Sequence, residues 1–439
     1  MNIMTSRIRR LIARVCPLLL LVLATSAGAG AADWPQWRGP GRDGRVPNPP
    51  ALNALPAAPK VLWKIPAGPG HSSVILAGRH LFYVDELNGK EHAHLLDLAT
   101  GKQLWDIAYA DPAEYSGFGT GPRCTPLIDG DRIYAQSGRG EFRCFSLADG
   151  KTLWRVNFET DYGATYFGNR SSNPDAKETA ARRHGNNGSP VIDGDRIFVP
   201  VGSPTKGTLV AFDKKTGRQL WAAGKDNTAY SSLMVGTLAG VRQVIHLTGD
   251  HLMGVDVATG RILWETPVKT GAKRHVFTPI IDGDTITISS SSIGIVQYRV
   301  TKAGAGLAIA PAWENKEVKV TISTSVLVDG RFYGIGTSKG QSQSEYACVD
   351  AKTGKTLWTK PGFADYASTT AFGNKLLVLN ANGEMYLLAA DPAGYKELGR
   401  IQACGKTYSH PAYADGRLYV RDDRQIMAMA FPEPAAALP

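Results

Sequence analysis

The sequence predicts an all-β fold, an eight-bladed β-propeller built from four-stranded antiparallel blades. Three observations predict it. A motif like that of Val349–Trp358, with a glycine four residues before a tryptophan, occurs five times. Asp-Gly pairs stand between short runs of apolar and β-branched residues, and most successive tryptophans, such as Trp221 and Trp264, lie 43 to 49 residues apart. Four-stranded units of about 40–50 residues are typical of propeller blades.

Each copy of the motif predicts the end of one strand, a tight turn and the start of the next strand. An aspartate such as Asp350 accepts hydrogen bonds from backbone amides two or three residues further on, and glycine supplies the positive φ of the turn. The tryptophan can bury about 200 Å², so we expect it to pack between neighbouring blades. The pairs are Gly101 and Trp105, Gly150 and Trp154, Gly217 and Trp221, Gly260 and Trp264, and Gly354 and Trp358.

A second hairpin lies upstream in each unit. Asp-Gly between runs of β-branched and aromatic residues is a strong hairpin signal. With the hairpin of the motif, it gives four antiparallel strands in each unit. These pairs are Asp129-Gly130, Asp193-Gly194, Asp282-Gly283, Asp329-Gly330 and Asp415-Gly416.

Residues 1–31 predict a cleaved secretory signal peptide. They contain four arginines, then the apolar run Pro17–Ala24, then small residues, in the order that such signals have. The apolar run is too short to span a bilayer. Because Cys16 precedes this run, we expect no lipoprotein anchor. The mature protein is expected in the periplasm or outside the cell, with no transmembrane segment.

Residues 32–60 predict an N-terminal arm rich in tryptophan and a linker rich in proline and alanine. We expect the indoles of Trp34 and Trp37 to pack on the propeller, and Arg38 to pair with Asp43. The alternative is an arm that closes over one mouth of the propeller.

The two ends of the chain are predicted to share the last blade. Val61–Ile65 matches the outer strand of a blade but has no inner strands before it, whereas Tyr408–Phe431 supplies three strands and then stops. Pairing these segments closes the ring and removes its open edges. The propeller is therefore predicted to span residues 61–431, with a tail at 432–439 and an insertion at 158–187 between the second and third blades.

The count of eight blades depends on one weak repeat. The unit between Phe363 and Ile401 has no tryptophan in its last strand, although Gly373-Asn374 and Asn382-Gly383 predict its turns. If this unit is an insertion, the propeller has seven blades.

The charge distribution argues against nucleic-acid binding. The 439-residue chain has a formal net charge of +10, and its lysines and arginines do not form runs outside the signal peptide. A protein or carbohydrate is the expected partner, and we expect a monomer.

The four cysteines that follow the signal peptide are predicted to be buried free thiols. Cys124 and Cys144 fall on the first and third strands of one blade, too far apart for a disulfide. The other two are Cys348 and Cys404.

The repeats resemble those of the pyrroloquinoline-quinone (PQQ) propeller superfamily. The Asp-x-x-Thr-Gly-Lys-x-Leu-Trp pattern of Asp350–Trp358 is similar to the tryptophan-docking motif of quinoprotein alcohol dehydrogenases, and the resemblance covers nearly all of the mature chain. Similar repeats occur in non-enzymatic relatives, including the propeller lipoprotein of the outer-membrane β-barrel assembly machinery. The resemblance therefore implies the fold but not the cofactor.

The resemblance to the dehydrogenases raises the question of PQQ and calcium. Those enzymes are similar in having adjacent cysteines over the quinone, carboxylate and amide ligands to Ca²⁺, and an aspartate base. This sequence has no adjacent cysteines, and no carboxylate matches the metal or base positions. We expect no cofactor, with PQQ and calcium as the alternative, and we expect no metal site.

Residues just before each inner strand are predicted to converge at one mouth of the propeller. Arginine pairs with a carboxylate through two hydrogen bonds, and tyrosine stacks on sugar rings, so this mouth predicts ligand binding. A solvated polar rim is the alternative. The proton-transfer candidates are His71, His184, His275, Tyr230 and Tyr408. The predicted ligand-binding residues are Arg123, Arg183, His184, Asn187, Tyr230, Lys273, Arg274, His275, Tyr366, Tyr408 and His410, and Ser323 completes the ring.

Two further features of the sequence are candidate sites. The insertion at 158–187 feeds the same mouth and predicts a ligand-contacting lid, with a disordered loop as the alternative. His92 and His94 fall on one face of a strand, a spacing that can share a metal. Because the sequence shows no third ligand nearby, we expect an ordinary strand surface there.

Two functions remain open on the sequence alone. The first, which we favour, is a secreted or periplasmic binding or scaffold propeller that holds a protein or glycan at its mouth. The second is an enzyme built at that mouth, either a carbohydrate-active lyase or hydrolase or a PQQ-dependent dehydrogenase. The fold does not separate them, because function resides in the site.

Overall fold

A computed structural model of the chain describes residues 33–113, 119–164, 184–271, 273–338 and 344–431. These residues form eight antiparallel sheets, one for each predicted blade. The all-β, eight-bladed propeller is therefore confirmed. The predicted signal peptide, the tail and most of the predicted lid lie outside the described residues.

The first four blades follow a closing strand, β1 (Val61–Pro66). In each blade the strands run in chain order from the central channel to the rim. Blade one contains β2–β5 (Ile75–Ala77, His80–Leu87, Lys90–Asp97, Gln103–Ala110) and blade two contains β6–β9 (Leu127–Asp129, Arg132–Gln136, Glu141–Ser146, Thr152–Asn157). Blade three contains β10–β13 (Val191–Asp193, Arg196–Val199, Leu209–Asp213, Gln219–Ala223) and blade four contains β14–β17 (Met234–Leu238, Val241–Leu247, His251–Asp256, Ile262–Pro267).

The remaining four blades complete the ring. Blade six has a divided inner strand, because β22 (Val318–Lys319) and β23 (Val326–Val328) pair with different parts of β24 (Arg331–Ser338). Blade five contains β18–β21 (Ile280–Asp282, Thr285–Ser290, Gly294–Ala303, Gly306–Asn315) and blade six contains β22–β26 (Val318–Lys319, Val326–Val328, Arg331–Ser338, Ser344–Asp350, Thr356–Phe363). Blade seven contains β27–β30 (Ala367–Phe372, Lys375–Asn380, Glu384–Ala389, Glu397–Gln402) and blade eight contains β31–β33 (Ala412–Ala414, Arg417–Arg421, Gln425–Ala430) with β1.

Blade eight closes the ring with strands from both ends of the chain, as predicted. Trp63 of β1 pairs with Ala428 of β33, and its indole lies 6.0 Å from the ring of Tyr419. The weak repeat forms blade seven, so the seven-bladed alternative is wrong.

The repeated motif joins five of the described blades to the blade that precedes them. The indole of Trp63 in blade eight covers Gly101 of blade one, where an added Cβ would come within 2.8 Å of the ring. Its Nε1 donates to the carbonyl of Leu98 at 3.1 Å. The same arrangement recurs for Trp105, Trp154, Trp221 and Trp313 on glycines of the following blade. The motif is thus a docking site for the neighbouring indole as well as a turn.

The motif aspartates act as the sequence predicts. Asp213 accepts hydrogen bonds from the amides of Lys215 and Thr216 at 3.0 and 2.8 Å. The amide and hydroxyl of Thr216 hold the pKa of Asp213 below its ordinary value. These bonds fix the turn and leave Gly217 in the left-handed region, with φ of 72°.

One short helix was not predicted. α1 (Phe158–Tyr162) follows β9, and the side chain of Asn157 caps it by accepting from the amides of Glu159 and Thr160. Such a side-chain cap satisfies amides that a helix N-terminus leaves without partners. Five residues are too short to leave an amphipathic pattern in the sequence.

The four cysteines Cys124, Cys144, Cys348 and Cys404 are free and buried, as predicted. Burial raises the pKa of the Cys144 and Cys348 thiols to about 11 and that of Cys124 and Cys404 to about 12. Low thiolate content makes all four poor nucleophiles. Within the described residues, no helix has the length and hydropathy needed to cross a bilayer.

Candidate functional site

The mouth of the propeller forms a cavity of about 400 Å³. Its walls come from the segments that precede the inner strands, where the sequence analysis placed the site. The described lining residues are Trp37, His71, Arg123, His184, Asn187, Ser189, Tyr230, Ser232, Arg274, Val276, Ser291, Thr321, Ile322, Tyr366 and Tyr408.

This cavity is lined by many of the residues that the sequence predicts at the mouth. Propeller topology explains the agreement, since each blade contributes the residues before its inner strand to the same end of the channel. Whether they bind a ligand stays a prediction. They are His71, Arg123, His184, Asn187, Tyr230, Arg274, Tyr366 and Tyr408.

Three predicted binding residues lie near the mouth without lining the cavity. Lys273 pairs with Asp250, at 2.9 Å between Nζ and Oδ2. His275 and His410 are buried, and burial lowers the pKa of both imidazoles. None of the three is among the described residues that line the cavity, and whether they bind a ligand stays a prediction. Arg183 lies outside the described residues, and Ser323, which completed the predicted ring, is buried.

The N-terminal arm reaches the cavity from the opposite end of the channel. Trp34 forms a bridge with Leu76 in the middle of the short inner strand β2, and Arg45 forms one with Ala371, the last but one residue of β27. Between these two points the arm enters the channel and returns. The arm therefore lies in the end of the channel opposite the mouth cavity, and whether it acts as a closure of the propeller stays a prediction.

Trp37 is the part of the arm that reaches the cavity. Its Nε1 donates to the hydroxyl of Thr278 at 3.0 Å, and its ring lies edge-on to His410 at 4.6 Å. Trp37 therefore lines the cavity at the end that faces into the channel. The sequence predicts that this indole packs on the propeller but does not place it in the site.

Two arginines of the arm are buried in the channel below the cavity. Arg42 donates to the carbonyls of Leu233 and Pro190, at 3.0 and 2.9 Å. Arg38 donates to the carbonyl of Ser325 at 2.7 Å and to the backbone carbonyl of Asp43 at 3.1 Å. The expected Arg38–Asp43 pair therefore forms through the main chain and not through the carboxylate.

The charged side chains among the described lining residues are arginines. Arg123 and Arg274 line the cavity, and none of the described lining residues is an aspartate or glutamate. Burial, followed by the positive charges of Arg123, Arg421 and Lys406, lowers the pKa of His71 to about 3. His71 is therefore neutral at pH 7, and the positive charge of the lining comes from the arginines.

The hydroxyl oxygen of Tyr366 and Oδ1 of Asn187 are buried in the cavity wall without a hydrogen-bond partner among the described residues. Burial raises the pKa of Tyr366, so its hydroxyl stays protonated and can donate. Buried polar groups without partners are rare and indicate an unseen water or ligand.

Aromatic rings form one side of the cavity. The ring of Tyr408 lies 4.9 Å from that of His71 and 5.3 Å from that of Tyr366. On the other side, the amide of His184 donates to the hydroxyl of Tyr230 at 3.2 Å. The cavity thus combines flat apolar faces with cationic and hydrogen-bonding groups.

Comparison with known proteins identifies the family. A family model described as outer membrane protein assembly factor BamB matches residues 89–360, which is more than half of the chain. The protein belongs to the BamB family. The resemblance to PQQ-repeat propellers that the sequence predicts is thereby confirmed.

Two individual BamB proteins are similar to this chain along most of their own length. The outer membrane protein assembly factor BamB of Burkholderia pseudomallei (strain K96243) is 24% identical over 315 residues, which cover 66% of this chain and 77% of that protein. The factor of the same name from Shewanella oneidensis (strain MR-1) is 23% identical over 340 residues, covering 68% and 82%.

Among solved structures, the computationally designed Ika8 protein superposes with a TM-score of 0.56 at 10% sequence identity, covering 86% of this chain and 98% of that one. At this identity the likeness shows the fold alone.

The cavity of this BamB-family protein does not fit PQQ with calcium. Ca²⁺ takes six to eight oxygen ligands, with carboxylates prominent among them. The described lining offers no carboxylate and places Arg123 and Arg274 at the cavity instead. The two cationic side chains would repel a divalent cation at this mouth.

Proposed function

We propose that this protein is a binding propeller that holds an acidic segment of a partner protein in its mouth cavity. The observation that supports it best is that the exposed side chain of Arg274 lines the cavity beside a second arginine, Arg123. Arginine forms paired hydrogen bonds with carboxylates. The unpartnered Tyr366 hydroxyl and Asn187 Oδ1 supply a donor and an acceptor for the main chain of such a segment.

The family supports a protein as the partner. Its model is described as an assembly factor for outer membrane proteins, and the predicted signal peptide at residues 1–31 would deliver this protein to the compartment where such a partner is found. A periplasmic or secreted location is therefore part of the proposal. The cavity volume of about 400 Å³ lies within the range of ordinary ligand pockets.

An acidic glycan is the second candidate. The rings of Tyr408 and Tyr366, 5.3 Å apart, offer faces on which a sugar can stack, and the arginines would take its carboxylates. A peptide and a glycan share the carboxylate and differ in the ring and backbone. Probes of both kinds therefore separate the two candidates.

The pKa values at the mouth favour binding over proton transfer. An effective general base has a pKa near the working pH, whereas the pKa of His71 is lowered to about 3. Burial also lowers the pKa of His275 and raises that of Tyr408. These shifts move the pKa of each of the three groups further from pH 7. They support a site that keeps its protonation state while it binds.

The proposal is tested by measuring the binding of short probes to the purified protein. The probes are tetra-glutamate, tetra-glutamine, an oligogalacturonate and its neutral galactose counterpart, each followed by calorimetry at low and high salt. We expect tetra-glutamate to bind, with affinity that falls as salt rises. Arg274→Gln should weaken this binding about 5- to 10-fold, as expected for one exposed charge pair of about 1 kcal/mol.

Arg299→Gln is the matched control, because Arg299 is also an exposed arginine and lies on the outer part of blade five. Tyr366→Phe removes only the unpartnered hydroxyl and should also weaken binding. The proposal fails if the neutral probes bind as well as the acidic ones, or if Arg274→Gln and Arg299→Gln bind tetra-glutamate equally. If oligogalacturonate binds and tetra-glutamate does not, the ligand is an acidic glycan and not an acidic peptide.

A further inference from the structure

Blade one has a cluster of metal-ligand side chains at its outer strands. His92 and His94 alternate along β4 and therefore share one face of the sheet. Asp106 of β5 lies directly opposite His94 in the strand register. The sequence shows no third ligand nearby because strand pairing, and not local spacing, brings Asp106 to the histidines. One ligand atom from each of the three residues lies within 4.8 Å of the others.

The distances suit one small cation. Nδ1 of His92 lies 2.7 Å from Oδ1 of Asp106, and Nδ1 of His94 lies 3.5 Å from the same oxygen. Around a tetrahedral zinc ion with bonds of about 2.0–2.1 Å, ligand atoms lie about 3.3 Å apart. The two measured distances fall on either side of this value, so small side-chain movements would bring the three atoms around one ion.

The second nitrogen of His94 is already fixed. Nε2 lies 2.7 Å from Oδ1 of Asp85, and both side chains are buried. A carboxylate behind a histidine holds its ring in one orientation and leaves the other nitrogen for a metal, which is the usual support of a zinc-bound histidine. The ring of Tyr83 stacks on that of His94 at 4.5 Å, with 8° between the planes, and restricts it further.

This arrangement leaves Nδ1 of His94 without a hydrogen-bond partner among the described residues. Because Nε2 holds the proton toward Asp85, Nδ1 presents a lone pair. The nearest charged atom is Oδ1 of Asp106 at 3.5 Å, which is also an acceptor. Two acceptors that face each other repel unless a cation lies between them. A cation between Nδ1 of His94 and Oδ1 of Asp106 would replace this repulsion with two attractive contacts.

We propose that His92, His94 and Asp106 bind a divalent transition metal, with Zn²⁺ as the expected ion. Two imidazole nitrogens and one carboxylate are a suitable set for zinc. On binding, the metal replaces the hydrogen between Nδ1 of His92 and Oδ1 of Asp106, and the imidazole proton moves to Nε2 or to solvent. Three protein ligands leave one position for water or for a group from a partner.

The site has a route to solvent and a structural location. The side chains of His92 and Asp106 are 15% and 28% exposed, so an ion can reach them without unfolding the blade. Behind the site, Asp85 accepts from the amide of Gly68 at 2.7 Å, in the segment that links β1 to blade one. A bound metal would therefore strengthen the region where the first and last blades meet.

Metal titration of the full chain tests this proposal. After removal of metals with EDTA, Co²⁺ is added as a spectroscopic probe and Zn²⁺ is followed by calorimetry. We expect one equivalent of each ion to bind, the visible absorption bands of four-coordinate Co²⁺, and a rise in Tm with Zn²⁺, because a ligand of the folded state stabilises it. His92→Ala and Asp106→Asn should each weaken Zn²⁺ binding about 100-fold.

His251→Ala is the matched control. His251 forms a similar partly exposed pair with Asp226, at 2.8 Å, but Asp226 and His251 belong to no described three-residue cluster. This variant should keep the Co²⁺ spectrum and the Zn²⁺ stoichiometry. The proposal is overturned if the wild type binds less than one equivalent, or if His92→Ala and Asp106→Asn bind Zn²⁺ as the wild type does. Should one variant fail to fold, as judged by circular dichroism, the other decides the matter.

Discussion

Gly217 shows at the scale of one residue why the motif requires glycine. It has a φ of 72°, and an added Cβ would come within 2.6 Å of Cδ2 of Trp154. Two separate demands therefore meet at this position, a left-handed backbone and a flat surface for the indole of the preceding blade. Gly194, in the other type of hairpin, has a φ of 60° but no atom within 4 Å of the added Cβ.

This difference allows the two demands to be measured separately. Gly194→Ala should cost about 1 kcal/mol of unfolding free energy, from the positive φ alone. Gly217→Ala should cost this amount plus about 1–3 kcal/mol for the displaced indole. Denaturant unfolding of both variants, with indole fluorescence as the probe, measures the difference. Equal costs would mean that the indole moves aside freely and that the docking contact contributes little.

At the scale of an element, the N-terminal arm is held by backbone carbonyls of the propeller. Arg42 is buried in the channel, where burial lowers its pKa to about 9, yet it donates to the carbonyls of Leu233 and Pro190. At pH 7 the guanidinium is still charged, and carbonyl groups from blades three and four compensate for its burial. The arm is therefore integral to the channel and supports Trp37 below the cavity.

Replacing Arg42 with methionine should destabilise the protein. Arg42→Met keeps much of the side-chain volume but leaves the carbonyls of Leu233 and Pro190 without this donor, and we expect a loss of about 2–4 kcal/mol. Arg45→Met is the control, because Arg45 lies on the same arm with an exposed side chain and should change stability by less than about 0.5 kcal/mol. Thermal unfolding measures the loss. Limited proteolysis of the arm should quicken only in Arg42→Met.

The arm marks a limit of prediction from this sequence. Its tryptophans and arginines indicate a segment that packs on the propeller, but no local pattern shows that Arg42 binds carbonyls 147 to 191 residues away. The short helix α1 was missed for a related reason, because its cap at Asn157 acts over only three residues. In both cases the decisive contacts lie outside any periodicity.

At the scale of the whole molecule, closure of the ring depends on β1. Trp63 on this strand crosses to blade one, where it covers Gly101 and donates to the carbonyl of Leu98. Arg421 of blade eight also reaches blade one, where it donates to the carbonyls of Ser72 and Val84 at 2.9 and 2.7 Å. The first and last blades are therefore joined both at the rim and near the channel.

Trp63→Ala should weaken this closure. Loss of the indole should lower the unfolding free energy by about 2–4 kcal/mol, somewhat less than for a fully buried tryptophan. Leu62→Ala is the control on the same strand, since Leu62 is 40% exposed and should change stability little. Guanidinium unfolding monitored by circular dichroism gives both values. Equal stability of the two variants would show that backbone pairing alone closes the ring.

The fold was predictable because its repeats leave the same spacing in the sequence many times, and the mouth followed from that topology. What could not be predicted is which side chain of each mouth segment turns inward. His275 lies in the same segment as Arg274, yet it is buried while Arg274 lines the cavity. Asp106 was missed as a partner of the histidines because strand register depends on a bulge between Leu95 and Leu96.

The indole of Trp264 donates to Gln243 of its own blade, at 2.7 Å, and not to blade five. Blade five lacks the glycine motif, and β30 of blade seven has no tryptophan. Two boundaries of the ring thus lack the cross-blade indole hydrogen bond that the other six have in the described structure. Under mechanical load the propeller should open first at these two boundaries, between blades four and five and between blades seven and eight. Opening there would leave one arc of three blades and another of five.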